Sequence, residues 1–94
     1  MIKGVIHTPT LEDYIEVIKY AIDGGILWND RRDKTIHEEY WSHHGSETCV
    51  NIDMHIRYAS RRFYTGNHDH IITIVEFLKE AEKDNIEQLL KDFK

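Results

Sequence analysis

Between Thr10 and the Gly24-Gly25 pair, Tyr14, Ile15, Val17, Ile18, Ala21 and Ile22 recur at spacings of three and four. That period puts them on one side of an α-helix and on both sides of a strand. The stripe predicts an amphipathic helix over about 11 to 23 that must bury one face against something else. Thr10 suits the N-cap, and Glu12 and Asp13 carry the negative charge that the helix dipole favours in a first turn. Gly24-Gly25 ends the helix, one of the pair supplying the left-handed cap.

The segments around this helix read as strands and turns. Lys3 to His7 is a short first strand, and Ile26-Leu27-Trp28 reads as a second. Residues 36 to 41 suit either a strand or a helical turn. Thr48 to Asp53 and His55 to Ala59 alternate side to side, which predicts a hairpin or one bulged strand. Arg61 to Tyr64 reads as a weak helical turn, 65 to 69 as a loop, and Ile71-Ile72 as a short last strand. Thr73 with Glu76 is a capping box that opens a terminal helix. Asp84 with Glu87 repeats the box, so the terminal stretch is either one helix to about 92 or two broken near Asp84. Ile86, Leu89, Leu90 and Phe93 keep helical spacing. The order predicts one α+β domain over residues 1–94. It has a small mixed or antiparallel sheet, an N-terminal helix and a C-terminal helix.

Ninety-four residues are enough for one core and no more. The longest apolar runs are too short to cross a membrane, and the N-terminal residues do not read as a signal peptide. The lone Cys49 excludes an internal disulfide and suits a reducing cytoplasm. The net charge of −5 disfavours long nucleic acids and anionic membranes as partners. It leaves room for a small phosphate ligand held in a local basic pocket.

Unusual chemistry gathers in the middle of the chain. All five arginines lie between positions 31 and 62, six of the seven histidines between 37 and 70, and both tryptophans at 28 and 41. Arg, His, Trp and Tyr stack on planar rings and grip phosphate or carboxylate. The candidate ligand-binding residues are Trp28, Trp41, Arg57, Tyr58, Arg61 and Arg62. The aromatics equally suit a plain core, and the arginines equally suit surface ion pairs with Asp30, Asp33, Glu38 and Glu39. His68 and His70 are candidate metal ligands at a loop-strand junction, but the paired spacing of a zinc site is missing. Cys49 in a strand reads as buried and inert. The chain carries no nucleophile elbow, phosphate-binding glycine loop or dinucleotide fingerprint, and implies no cofactor.

Several strings taken together carry a likeness. They are Val5-Ile6-His7-Thr8-Pro9-Thr10, Gly25-x-x-Trp28, Tyr40-Trp41, Glu47-Thr48-Cys49-Val50, Tyr58, Phe63-Tyr64 and Ile71-Ile72-Thr73-x-x-Glu76-Phe77-Leu78. The chain resembles a group of small accessory proteins of phages and prophages of Gram-positive bacteria. The likeness covers most of residues 5 to 78 and leaves out the histidine-rich loops and the tail after 80. It implies action in the host cytoplasm against host defence. Some such proteins are sponges that sequester nucleotide signals, including the cyclic ADP-ribose products of Thoeris defence, commonly at subunit interfaces. The expectation is therefore a non-enzymatic homo-oligomer that sequesters a nucleotide-derived signalling molecule. Trp28, Trp41 or Tyr58 would stack on its base, and Arg57, Arg61 and Arg62 would neutralise its phosphate. The alternatives are a protein-protein inhibitor of a host enzyme or defence nuclease, and a small metal-dependent phosphodiesterase using His68 and His70.

Overall fold

The computed structural model describes residues 1–28 and 33–92. Arg31 and Arg32, the first two arginines of the central cluster, lie outside the described residues, as does Phe93.

The first helix, α1 (Leu11–Asp23), begins and ends where its signals stand. The Asp13 N–H donates to Thr10 Oγ1 at 3.1 Å, which satisfies one of the free amides of the first turn. At the other end Gly25 takes φ +88°, a backbone region that strains any residue with a Cβ. Its N–H donates to the Ile22 carbonyl at 2.9 Å, and the Ile26 N–H reaches back to the Ala21 carbonyl at 2.8 Å. That pair of bonds is a Schellman cap.

Four strands form one mixed sheet. They are β1 (Val5–His7), β2 (Thr48–Asn51), β3 (Arg57–Ser60) and β4 (Ile71–Ile72), in the order β3-β2-β1-β4. β2 pairs antiparallel with both β1 and β3, and β1 pairs parallel with β4. The β2–β3 hairpin sets Val50 opposite Tyr58 and Cys49 opposite Ala59. The chain between β1 and β2 holds α1 and the short α2 (Glu38–Trp41). α3 (Arg61–Gly66) follows β3 directly, with the Ser60 hydroxyl accepting from the Phe63 N–H at 3.2 Å. α4 (Ile74–Asp92) is the last element, and its Glu76 N–H donates to Thr73 Oγ1 at 3.2 Å.

Alternation along the strands divides the core between two faces. On one, Ile6 and Val50, with Ile52 and Ile56 beyond the strand ends, pack against Tyr14, Val17, Ile18 and Ala21 of α1 and Phe77 of α4. On the other, Val5 and Cys49 lie under Tyr64 of α3, with Ala59 and Ile71 at the margin. The fold is thus α+β, with the expected N-terminal and C-terminal helices on the sheet. One expectation about elements is corrected. Ile26-Leu27-Trp28 forms no strand, because among the described residues it makes a single parallel bridge, Trp28 to Ile56. Of the two readings of the terminal stretch, α4 is the single helix, and the Asp84 carboxylate accepts the Tyr20 hydroxyl at 2.6 Å instead of capping a new helix.

Candidate ligand-binding site

The edge strand β3 carries chemistry at both ends. At its start, Trp28, Tyr40, Ile56, Arg57 and Tyr58 line a groove of about 440 Å³. Trp28 is its floor, only 7% exposed, with the indole N–H donating to the Thr35 carbonyl at 2.6 Å. Tyr40 and Tyr58 stack at 4.9 Å between centroids and 11° between planes. His37 continues the series, stacked on Tyr40 at 4.6 Å and 14°. Trp28 meets all three rings edge-on. Edge-on and offset contacts are the arrangements the ring quadrupoles favour, so the wall is held in one shape.

Polar groups fix the same wall. The Tyr58 hydroxyl lies 2.6 Å from His43 Nδ1, hydrogen-bonded in the direction that the His43 tautomer sets. Burial, then the neighbouring Tyr40 and Glu39, push the Tyr58 phenol up, so it stays protonated at neutral pH. His37 adopts a left-handed backbone, φ 54° and ψ 59°, which is uncommon for a residue with a side chain. Its Nε2 bonds the Asp33 carboxylate, and its Nδ1 lies 3.3 Å from Glu39 Oε1. Asp33, then Glu39, raise the His37 imidazole and favour its charged form. His37 and Thr35 hold Asp33 down to about 2. The Tyr14 hydroxyl reaches the Ile36 and His37 carbonyls at 3.0 and 2.9 Å, so α1 anchors the strained turn from below. With both ring nitrogens engaged, His37 is a fastening and not a free acid or base.

At the far end of β3, Arg61 stands on a ridge between two further grooves. One, of about 580 Å³, is shared with Glu47, Ser60, Arg62, Thr65 and Gly66. The other, of about 400 Å³, includes His7, Asp69, His70 and Thr73 and opens where the parallel strands β1 and β4 end. Crevices outside the carboxyl ends of parallel strands are common ligand positions. His7 is oriented by its Nε2 contact to the Ser46 carbonyl at 2.7 Å. Among the described residues Arg57, Arg61 and Arg62 form no ion pair. Of the acids expected to pair with them, Asp33 and Glu39 are engaged with His37, and Asp30 lies outside the described residues.

The fold therefore brings Trp28, Arg57 and Tyr58 into one groove and Arg61 and Arg62 into another. A four-residue strand separates the two, about 10 Å at the usual rise per residue. Trp41 lines neither. Its indole N–H donates to the Thr8 carbonyl at 3.0 Å, and its carbonyl accepts from the buried Thr48 hydroxyl at 3.0 Å, so it ties α2 to the sheet. His70 lines the groove beside Arg61, while His68 takes a left-handed backbone at the turn after α3. Among the described residues, no group of three or more His, Cys, Asp or Glu side chains is placed to hold a metal ion. Tyr40 and His7 also line the grooves and His43 bonds Tyr58, and none of the three is a binding candidate from the sequence. Their only signal was position: Tyr40 precedes Trp41, and His7 ends the first strand.

Compared with protein-family models, curated proteins and solved structures, the chain matches none. No helix among the described residues is long and apolar enough to cross a membrane.

Proposed function

We propose that the chain is a non-enzymatic binding protein that sequesters a nucleotide-derived molecule along β3. The ligand's planar ring lies in the groove against Tyr58, which is backed by its own stack on Tyr40, with Trp28 as the floor. Its phosphate reaches the Arg61 ridge. One observation carries the reading: an aromatic groove and a guanidinium groove lie at the two ends of one four-residue strand, whose own length of about 10 Å is on the scale of a nucleotide with its phosphates. Stacking on a rigid aromatic wall selects planar rings without reading their edges closely. Charge-assisted bonds from Arg61 and Arg62 supply the polar affinity, and Arg57 closes the ring end. The setting of the proposal is a phage or prophage accessory protein in the host cytoplasm, where capture of a signalling nucleotide blunts defence.

The alternatives find less to stand on. A metal-dependent phosphodiesterase needs more ligands than His68 and His70 offer in this arrangement. A host-protein inhibitor has no face here that specifies its target.

Isothermal titration calorimetry with cyclic ADP-ribose, ADP-ribose, AMP and inorganic phosphate as probes tests the proposal. At least one nucleotide should bind, and Arg61→Ala and Tyr58→Ala should each weaken it by roughly tenfold or more while circular dichroism stays native. Absence of binding by every nucleotide, or unchanged affinity in a folded Arg61→Ala protein, would sink it.

A further inference from the structure

α4 has two apolar faces, and the sheet uses only one. Ile74, Phe77 and Ala81 pack inward on the core. Val75, Leu78, Ile86, Leu89 and Leu90 point outward and are 60, 44, 49, 53 and 61% exposed. At 100° per residue these five fall within an arc of about 120°, the width of a buried helix face. The helix also outruns its support. Among the described residues, its last hydrogen bond to α1 is Tyr20–Asp84, beyond which Asn85, Glu87 and Lys91 only line an open groove with Asp23 and Gly24, and no described residue of α4 past Ala81 belongs to either core cluster. The molecule measures 44 × 27 × 22 Å. A helical end of this kind draws little stability from propensity alone and gains it by covering its apolar side.

We propose that the outer face of α4 is an interface on which two copies of this chain pair as antiparallel helices. The order of residues along the stripe selects that occupant and that direction. Val75 and Leu78 stand at one end, Lys79, Glu82 and Lys83 in the middle, and Ile86, Leu89 and Leu90 at the other. An antiparallel pair centred between Glu82 and Lys83 sets Val75 level with Leu90 and lays each apolar end on the other. It also sets Glu82 level with Lys83 of the second copy, and brings Lys79 within one residue's rise of Glu87, each pairing occurring twice by symmetry. A parallel pair would oppose Glu82 to Glu82 and Lys79 to Lys79, which the exposed charges disfavour. The stripe runs about 24 Å along the helix. Its apolar area is at most a few hundred Å² per copy, which places the dimer near the small end of specific interfaces. Micromolar affinity is the expectation.

Sedimentation equilibrium over about 1 to 300 μM reads the association directly, a range that brackets a micromolar Kd. The wild-type chain should pass from monomer to dimer across it. Ile86→Glu with Leu89→Glu should weaken the dimer by roughly tenfold or more, with far-ultraviolet circular dichroism still showing the folded core. Both residues lie outside the core clusters, so the substitutions spare the fold. A wild-type chain that stays monomeric throughout, or a double variant that dimerises unchanged, would overturn the proposal. Direction is read by spin labels on Lys91→Cys in a Cys49→Ser background. Antiparallel helices hold the two labels about 25 to 30 Å apart, whereas a separation of about 10 Å would overturn the antiparallel arrangement. Neither Ile86 nor Leu89 lines a β3 groove, so pairing and ligand binding are read separately.

Discussion

Cys49 is fully buried under Tyr64, on the face of the sheet that α3 covers. Burial pushes its thiol up to about 11, against a smaller opposing pull from Arg61. At neutral pH the thiolate, the reactive form, is then on the order of one part in ten thousand. The native protein should not react with a disulfide reagent such as DTNB until denaturant unfolds it; fast stoichiometric labelling of the folded chain would refute this. Asp33 and His37 make a second prediction, in which the signs of two shifts matter. The Asp33 carboxyl is held below its ordinary 3.8, so its share of stability is present above 3.8 and fades as pH falls toward about 2. His37 is raised above its ordinary 6.5, so its share is whole below 6.5 and is lost as pH rises through the folded value. The Tm gap between wild type and His37→Gln should therefore be widest between about 4 and 6.5 and narrow at alkaline pH. A gap that does not change with pH would show that the contact contributes nothing electrostatic. Residue types announced this chemistry only in part. A buried strand cysteine is legible from alternation, and the two carboxylates that hold His37 are its sequence neighbours, but the Tyr14 hydroxyl that anchors its left-handed turn lies 23 positions away.

Elements were most legible where their signals are local. Thr10, Gly25 and Thr73 cap helices through bonds to residues three or four positions away, and each acts where the sequence places it. A signal that depends on distant partners misled. Ile26-Leu27-Trp28 has strand-forming residues, but among the described residues its one bridge is Trp28 to Ile56. Asp84 has a capping-box sequence that left the terminal stretch open between one helix and two; the Tyr20 hydroxyl claims its carboxylate, and burial together with this bond lifts the Tyr20 phenol to about 12. α4 in turn depends on one large side chain. Phe77 is 1% exposed and meets Tyr20 edge-on at 5.1 Å. Phe77→Ala should cost about 3–5 kcal/mol, the range for removing a buried aromatic ring. Urea denaturation followed by circular dichroism would read this as a large fall in midpoint. A loss below about 1 kcal/mol would mean that α4 is not held to the sheet in this way.

At the scale of the molecule, composition draws attention to the middle of the chain but does not give its geometry. The arginines and aromatics were expected to act together. Sheet topology instead sends Arg57 and Tyr58 to one end of β3 and Arg61 and Arg62 to the other, and turns Trp41 to tethering α2. Such a division follows from which strands are neighbours, and the strands are too short for their own residues to specify that order. The same topology bears on how the chain is made. β1 lies between β2 and β4, and its parallel partner, Ile71-Ile72, is among the last segments before α4. On a ribosome, α1 and the β2–β3 hairpin can form as they emerge, whereas β1 keeps one bare edge until Ile71-Ile72 has emerged as well. For that interval the nascent protein presents an unpaired strand beside an incomplete core, so its exposure to mispairing is set by translation speed and not by the stability of the finished fold.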